Sequence, residues 1–148
     1  MTRAVFTPDT SCVIAAVCAW HEHHAAAAHV IESRLSRGER LVVAAHVLAE
    51  AYAVLTRLPP PHRLAPSDAW TLIRTNFAHE VTTIALTGPE HVRAIGGLAA
   101  AGIRGGRTYD VLIGAAAEKA GAAVLLTFNP GHFEPPPKGV LVVVPPGS

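Results

Sequence analysis

The chain of 148 residues has the length of one ordinary domain, and a hydrophobic content of 50% excludes an intrinsically disordered protein. Charged residues make up 16%, and twelve basic groups against eleven acidic groups leave a formal net charge of +1. This balance offers no basic stripe for tight non-specific binding to duplex nucleic acid, so we expect no direct duplex-DNA binding by this chain alone. We expect a single domain over residues 1–148.

Cysteine content and hydropathy indicate the compartment. Cys12 and Cys18 are too few for a disulfide framework, and on a shared helix they would lie on different faces. No apolar run approaches the roughly 20 residues that a membrane span needs. Pro8 and Asp9 separate Arg3 from the apolar stretch 12–20, and no signal-peptide cleavage site follows. We therefore expect a cytoplasmic protein with reduced thiols and no membrane association.

Short strand-like runs alternate with helical ones along the chain. The predicted strands, which are short apolar or β-branched runs, are 4–7, 41–44, 81–86, 124–127 and 140–144. The predicted helices, which lie between capping residues and Gly or Pro stop signals, begin at Thr10 or Ser11 and then cover 23–37, 46–58, 67–77, 87–102 and 108–119. The continuous apolar runs near the end of the chain are typical of parallel strands buried on both faces. The pattern predicts a three-layer α/β/α domain with a mainly parallel sheet of about five strands.

Acidic and amide side chains stand beside these predicted strands, where an open α/β sheet binds its ligands. Asp9 follows the first strand, and Asn129 follows the fourth. Glu50 lies in the helix after the second strand, and Asp110 opens the helix before the fourth. One aspartate alone is most often a helix N-cap, but this explanation fails for Glu50, which is flanked by apolar residues inside a helix. The set is better explained by a shared divalent cation, because Mg²⁺ and Mn²⁺ take oxygen ligands.

The motifs around these residues resemble those of one known family. Their order is Asp9-Thr10-Ser11, then Glu50, then the helix 109–117 with its aspartate followed by apolar and small residues, then the segment 125–133. Together with the α/β alternation, they make the chain similar to the PIN domain, and most closely to the VapC toxin ribonucleases of bacterial toxin–antitoxin pairs. The resemblance covers nearly the whole chain.

The resemblance implies a PIN-like fold and a Mg²⁺-dependent endoribonuclease toxin that hydrolyses RNA, with Mn²⁺ as a substitute metal. The implied catalytic set is Asp9, Glu50, Asp110 and Asn129. Asp9 and Asp110 are the expected direct metal ligands. Glu50 is expected either to bind the metal through a water molecule or to act as a general base. Many family members have a fourth acid where this chain has Asn129, which disfavours a second tightly bound metal. The alternative is a catalytically silent PIN-like module that binds RNA or protein.

Partners are indicated by the low charge and by the aromatic residues Trp20, Trp70 and Tyr52, which are candidates for exposure. The resemblance implies a homodimer and a cognate VapB-type antitoxin. A segment of that antitoxin would direct a basic side chain toward the acidic site.

Other motifs are weaker. Nine histidines suggest zinc, but Ala25 stands where an H-E-x-x-H motif beginning at His21 needs its second histidine, which favours solvent-facing histidines at a helix start. His132 lies nearest the acidic residues, and packing of its loop is favoured over catalysis. Residues 104–107 lack the Lys-Ser/Thr ending of a P-loop, so we expect a flexible loop with two arginines that can contact RNA.

Overall fold

Five parallel strands form one sheet at the centre of the structure, a computed structural model that describes residues 3–147. The strands are β1 (Val5–Pro8), β2 (Arg40–Ala44), β3 (Thr82–Ile84), β4 (Val124–Leu126) and β5 (Leu141–Val143). The α-helices are α1 (Thr10–Val17), α2 (His24–Ser36), α3 (Ala45–Arg57), α4 (Pro66–Ile73), α5 (Gly88–Ala101) and α6 (Arg107–Lys119). The predicted α/β fold with a parallel sheet is confirmed. The expectation of a single domain also covers residues 1, 2 and 148, which lie outside the described residues.

The strand order creates a natural binding position. In space the order is β3-β2-β1-β4-β5. Strands β2 and β3 therefore lie on one side of β1, and β4 and β5 lie on the other. Phe6 in β1 pairs with Leu41 in β2 and with Val124 in β4. In open α/β sheets, the connections after two such neighbouring strands diverge and leave a crevice at their carboxyl ends. This crevice lies beyond Pro8 and Leu126, the last residues of β1 and β4.

The hydrophobic core fixes the helices that border the crevice. Phe6, Val43 and Leu125 of the sheet are fully buried, and they share one cluster with Val13 of α1 and Ile113 of α6. Burying side chains of this size stabilises the fold by roughly 1.5–3 kcal/mol each. The first turns of α1 and α6 are therefore held at defined positions relative to the sheet.

A glycine brings the chain after α6 into close contact with that helix. A Cβ atom placed on Gly114 would lie 3.0 Å from Cγ of Pro137. Glycine thus lets the proline-rich segment 135–137 pack directly on α6. The same segment follows a short 3₁₀ helix, Pro130–Phe133, whose Phe133 is buried.

Most element boundaries differ from the sequence predictions by one residue, and two elements differ by more. The helix predicted over 67–77 ends as an α-helix at Ile73 and continues as a π-helical turn, Arg74–Ala78, in which Phe77 is buried. The strand predicted over 81–86 is only Thr82–Ile84, because β3 is an edge strand with a partner on one side. Beyond it, the carbonyl of Ala85 accepts a hydrogen bond from Lys119 Nζ, at 2.8 Å.

The described residues also bear on the compartment predictions. Cys12 and Cys18 are both buried and unbridged, as expected for small apolar side chains. Within residues 3–147, no helix has the length and hydropathy needed to cross a membrane.

Candidate active site

A cleft of about 1110 Å³ opens where the crevice was expected, and Asp9, Glu50, Asp110 and Asn129 all line it. Asp9 is the N-cap of α1, Glu50 lies on α3, and Asp110 lies in the first turn of α6. Asn129 precedes the 3₁₀ helix. The structure therefore brings together all four residues singled out by the sequence. Their catalytic and metal-binding roles stay predictions.

Asp9 is the most deeply buried of these acids, with 3% of its surface exposed. Ser11 Oγ donates to its Oδ1 at 2.6 Å, and the backbone N–H of Cys12 donates to the same oxygen at 3.0 Å. Thr127 Oγ1 donates to Oδ2 at 2.5 Å. Burial raises the pKa of Asp9 above its usual value, against the lowering effect of these hydrogen bonds, and the charge of Glu50 raises it further. The helix-cap role of Asp9 thus coexists with a place in the cleft.

The hydroxyl groups of Ser11 and Thr127, which we call the hydroxyl clamp, are themselves oriented by the backbone. Ser11 Oγ accepts from the N–H of Phe128 at 3.1 Å, and Thr127 Oγ1 accepts from the N–H of Asn129 at 2.9 Å. Each hydroxyl has a single proton, and that proton is directed at Asp9. The clamp therefore fixes both carboxylate oxygens of Asp9 and connects them to the loop that carries Asn129.

Asp110 is partly buried and contacts His132, whose Nδ1 lies 3.2 Å from its Oδ2. Burial raises the pKa of Asp110 above its usual value, and the negative charges of Asp9 and Glu50 raise it further. The positive charges of His132 and Arg107 act in the opposite direction and lower this pKa. The loop-packing role favoured for His132 is not what the structure shows. Its side chain is 52% exposed and lies against Asp110 at the edge of the cleft.

Glu50 is held by residues that the sequence predictions missed. His46 Nε2 lies 2.9 Å from Glu50 Oε2, one turn away on α3. The His46 ring also stacks on Tyr109 of α6, with ring centroids 5.1 Å apart and planes inclined by 12°. The i,i+4 spacing of His46 and Glu50 was the available sequence signal. The stacking on Tyr109 depends on how α3 and α6 pack and has no local signal.

The donor chemistry of the cleft fits a hard divalent cation. Within residues 3–147, no group of at least three His, Cys, Asp or Glu side chains is already arranged as a metal-binding cluster. However, Asp9, Glu50 and Asp110 repel one another, and a cation with carboxylate ligands would relieve that repulsion. Thr10 also lines the cleft, and its Oγ1 is buried without a hydrogen-bond partner among the described residues. The carboxylate oxygens that a hard divalent cation prefers are thus present in the cleft.

Basic and aromatic side chains surround the acids. Arg57, Arg104 and Arg107 line the cleft, as do His23 and Phe128, whose rings stack with centroids 4.4 Å apart. The solvent-facing position expected for the helix-start histidines is therefore wrong for His23, because stacking covers one face of its ring. The expected pair of arginines in the loop 104–107 does reach the cleft.

Comparison with known proteins identifies the family of the chain. The family model for the PIN domain matches residues 6–135. Ribonuclease VapC40 of Mycobacterium tuberculosis is 39% identical over 124 residues, covering 82% of this chain and 84% of that protein. Ribonuclease VapC27 of the same organism is 40% identical over 103 residues, covering 70% of this chain and 62% of that protein.

Solved structures show the same fold at lower sequence identity. VapC20 of M. tuberculosis, described as a Sarcin-Ricin loop cleaving toxin, superposes with a TM-score of 0.68 at 20% identity, covering 93% of this chain and 98% of that chain. DNA-bound VapBC from Salmonella typhimurium gives a TM-score of 0.66 at 21% identity, covering 95% and 98%. The family match, the closely similar curated relatives and the shared fold lead to one conclusion: the chain belongs to the PIN-domain family, in its VapC branch.

Proposed function

We propose that this chain is a divalent-metal-dependent endoribonuclease and the toxin of a type II toxin–antitoxin pair. The observation that carries the proposal is the convergence of Asp9, Glu50 and Asp110, from three separate elements, on one cleft. Curated relatives that are named ribonucleases support RNA as the substrate. Burying acids beside one another is costly, and a site without chemistry would gain nothing from that cost.

In this proposal Asp9 and Asp110 hold the metal, and Glu50 contributes directly or through water. When bound there, Mg²⁺, or Mn²⁺ in its place, would lower the pKa of a bound water molecule and polarise a phosphoryl oxygen of the substrate. The hydroxyl clamp holds Asp9 in one orientation, and His132 does the same for Asp110. Asn129 is peripheral, since its amide adds an oxygen without a charge.

Substrate binding uses the positive side chains on the same cleft. Arg57 and Arg104 are exposed, and neither forms an ion pair with an acidic side chain within residues 3–147. Their guanidinium groups are free to bind RNA phosphates, which arginine does through paired hydrogen bonds. The chain as a whole has a net charge of only +1, so we expect this binding to be local to the cleft rather than a general affinity for duplex DNA.

The test is cleavage of total RNA by the purified chain, with Mg²⁺ and with EDTA. We expect cleavage with Mg²⁺ only, and its loss in Asp9→Asn and Asp110→Asn. Asp68→Asn is the matched control, because Asp68 is the one remaining aspartate and is exposed on α4. Equal cleavage by all these proteins would assign the activity to a contaminant. A folded wild-type chain that binds RNA without cleaving it would instead support the silent binding module.

A VapB-type antitoxin is the partner that we propose, and the cytoplasm is the proposed location of the pair. A structural neighbour of the same fold is a VapBC complex. Several large apolar side chains are exposed and available to a partner, among them Trp20 at 48%, Trp70 at 50% and Val92 at 72%. We also propose a homodimer. Light scattering that shows a uniform monomer at high micromolar concentration would overturn the dimer.

A further inference from the structure

Tyr109 presents an aromatic ring in the cleft immediately before Asp110. The residue is 50% exposed and lines the cleft. The His46 ring lies nearly parallel to it at a centroid distance of 5.1 Å, so one face of the tyrosine is covered. His46 is in turn hydrogen-bonded to Glu50. The exposed tyrosine ring is therefore connected to two of the candidate catalytic acids, to Asp110 along the chain and to Glu50 through His46.

An exposed, supported aromatic ring beside a phosphate-binding site has the chemistry of a base-stacking platform. Nucleobases stack on aromatic side chains whatever their sequence, because every base has a π-face. Arg104 and Arg107 line the same cleft and offer charge to the phosphates of the same strand. We propose that Tyr109, supported by His46, stacks on the nucleobase beside the scissile phosphate. This inference rests on the proposed ribonuclease function and adds a specificity-determining residue to it.

The platform selects the state of the RNA. A base in a continuous helix has neighbouring bases on both faces and cannot stack on a protein ring. A base in a single strand, loop or bulge has a free face. Tyr109 therefore favours cleavage next to an unpaired base, with little preference for the identity of that base.

The experiment measures binding of short oligoribonucleotides containing 2-aminopurine, whose fluorescence is quenched by stacking. Wild type, Tyr109→Leu and Tyr109→Phe are compared on a single strand and on the same sequence in a duplex, in EDTA. Tyr52→Leu is the matched control, since Tyr52 is the other tyrosine of the chain, is exposed and does not line the cleft. Removal of an aromatic side chain on which one base stacks weakens binding by roughly 5- to 160-fold, the range expected for Tyr109→Leu on the single strand.

Tyr109→Phe and Tyr52→Leu are expected to bind and quench like wild type, and the duplex is expected to discriminate little among the four proteins. Equal affinity and equal quenching for Tyr109→Leu and wild type would overturn the proposal. Failure of Tyr109→Phe to bind would also overturn it, because the hydroxyl rather than the ring would then be responsible. So would a wild-type chain that does not bind the single strand.

The ribonuclease proposal is tested separately by cleavage with Mg²⁺. Ring-dependent binding without cleavage would retain the platform and remove the enzyme. Cleavage together with binding that does not depend on the ring would retain the enzyme and remove the platform. A circular dichroism melt of Tyr109→Leu identifies loss of fold, and in that case Tyr109→Trp, which enlarges the ring, must bind the single strand at least as tightly as wild type.

Discussion

Thr127 Oγ1 lies 2.5 Å from Asp9 Oδ2, although 118 positions separate the two residues in the chain. Thr127 is fully buried, and it follows β4 as Asp9 follows β1. The contact therefore joins the carboxyl ends of two neighbouring strands and fixes an acid of the candidate site at the same time. Stability and site geometry are coupled in this hydrogen bond.

Thr127→Val tests that coupling. The substitution keeps the shape of the side chain and removes both the donor to Asp9 and the acceptor for the N–H of Asn129. We expect the free energy of unfolding in urea to fall by about 1–3 kcal/mol, the usual cost of leaving buried polar groups unsatisfied. Thr127→Ser keeps the hydroxyl and should lose less. Identical urea midpoints for Thr127→Val and wild type would show that the contact contributes nothing.

Mg²⁺ is expected to raise the thermal unfolding midpoint. Mg²⁺ is expected to bind only the folded state, in which Asp9, Glu50 and Asp110 face one cleft. At a concentration 100 times its dissociation constant, it would add about 2.7 kcal/mol to the free energy of unfolding. The increment should shrink strongly in Asp110→Asn and stay at the wild-type value in Asp68→Asn. Differential scanning fluorimetry with and without Mg²⁺ gives the answer. An unchanged increment in Asp110→Asn would remove this residue from the ligand set.

Asn129→Asp restores a carboxylate at the edge of the cleft. Asn129 is exposed and lines the cleft, so a charge added there is expected to tighten Mg²⁺ binding, and isothermal titration measures the change directly. The backbone N–H of residue 129 still donates to Thr127, which makes this change compatible with the fold. Weaker folding with unchanged metal affinity would instead assign Asn129 to the turn before Pro130.

The stability of the fold is expected to fall in acid because of one ion pair, between Lys119 and Glu90. Lys119 Nζ donates a hydrogen bond to Glu90 Oε1 at 2.6 Å. This bond makes the largest contribution, and the hydrogen bond from the backbone N–H of Thr87 the next largest, to lowering the pKa of Glu90 from 4.5 to about 2. A carboxyl group whose pKa is lower in the folded state stabilises the fold above its unfolded pKa. That contribution is lost as the pH falls from about 4.5 to about 2.

Glu90→Gln removes this contribution and should flatten the pH dependence of the urea midpoint in that interval. The effect is small because the pair is partly exposed to solvent, which screens it. Glu32→Gln, at an exposed position of α2, is the control and should retain the wild-type slope. A Glu90→Gln profile parallel to that of wild type would contradict the assignment.

An inhibitory antitoxin segment is expected to place a basic side chain among Asp9, Glu50 and Asp110. Opposite charges in a partly buried cleft bind more strongly than on an open surface, so neutralising that side chain should weaken inhibition of cleavage. Titration of the toxin with the segment and with its neutralised version measures the difference. Inhibition that does not change would mean that the segment blocks RNA by its bulk alone.

The sequence was sufficient for the parts of this molecule that depend on local pattern. Asp9 and Asn129 each follow a predicted strand, so their shared edge of the sheet was predictable. Glu50 was recognised because a charge among apolar helix residues is costly. Each of these inferences uses spacing along the chain and the general behaviour of parallel sheets.

Contacts between helices were beyond such reasoning. The stacking of His46 on Tyr109 and the contact of His132 with Asp110 depend on packing angles and loop paths. The end of β3 was missed for a related reason, since the length of an edge strand depends on its neighbour. Side chains at the edge of the cleft were therefore misjudged more often than the acids inside it.

The position of β4 beside β1 has a consequence for the order of events during protein synthesis. Strand β1 emerges from the ribosome before β4. The hydroxyl of Thr127, which completes the surroundings of Asp9 together with the backbone N–H of Phe128, is made 118 positions after Asp9. A nascent or prematurely terminated chain without β4 has no partner for that edge of β1 and no complete cleft. The surroundings of Asp9 are therefore incomplete until β4 and residues 127 and 128 have been synthesised.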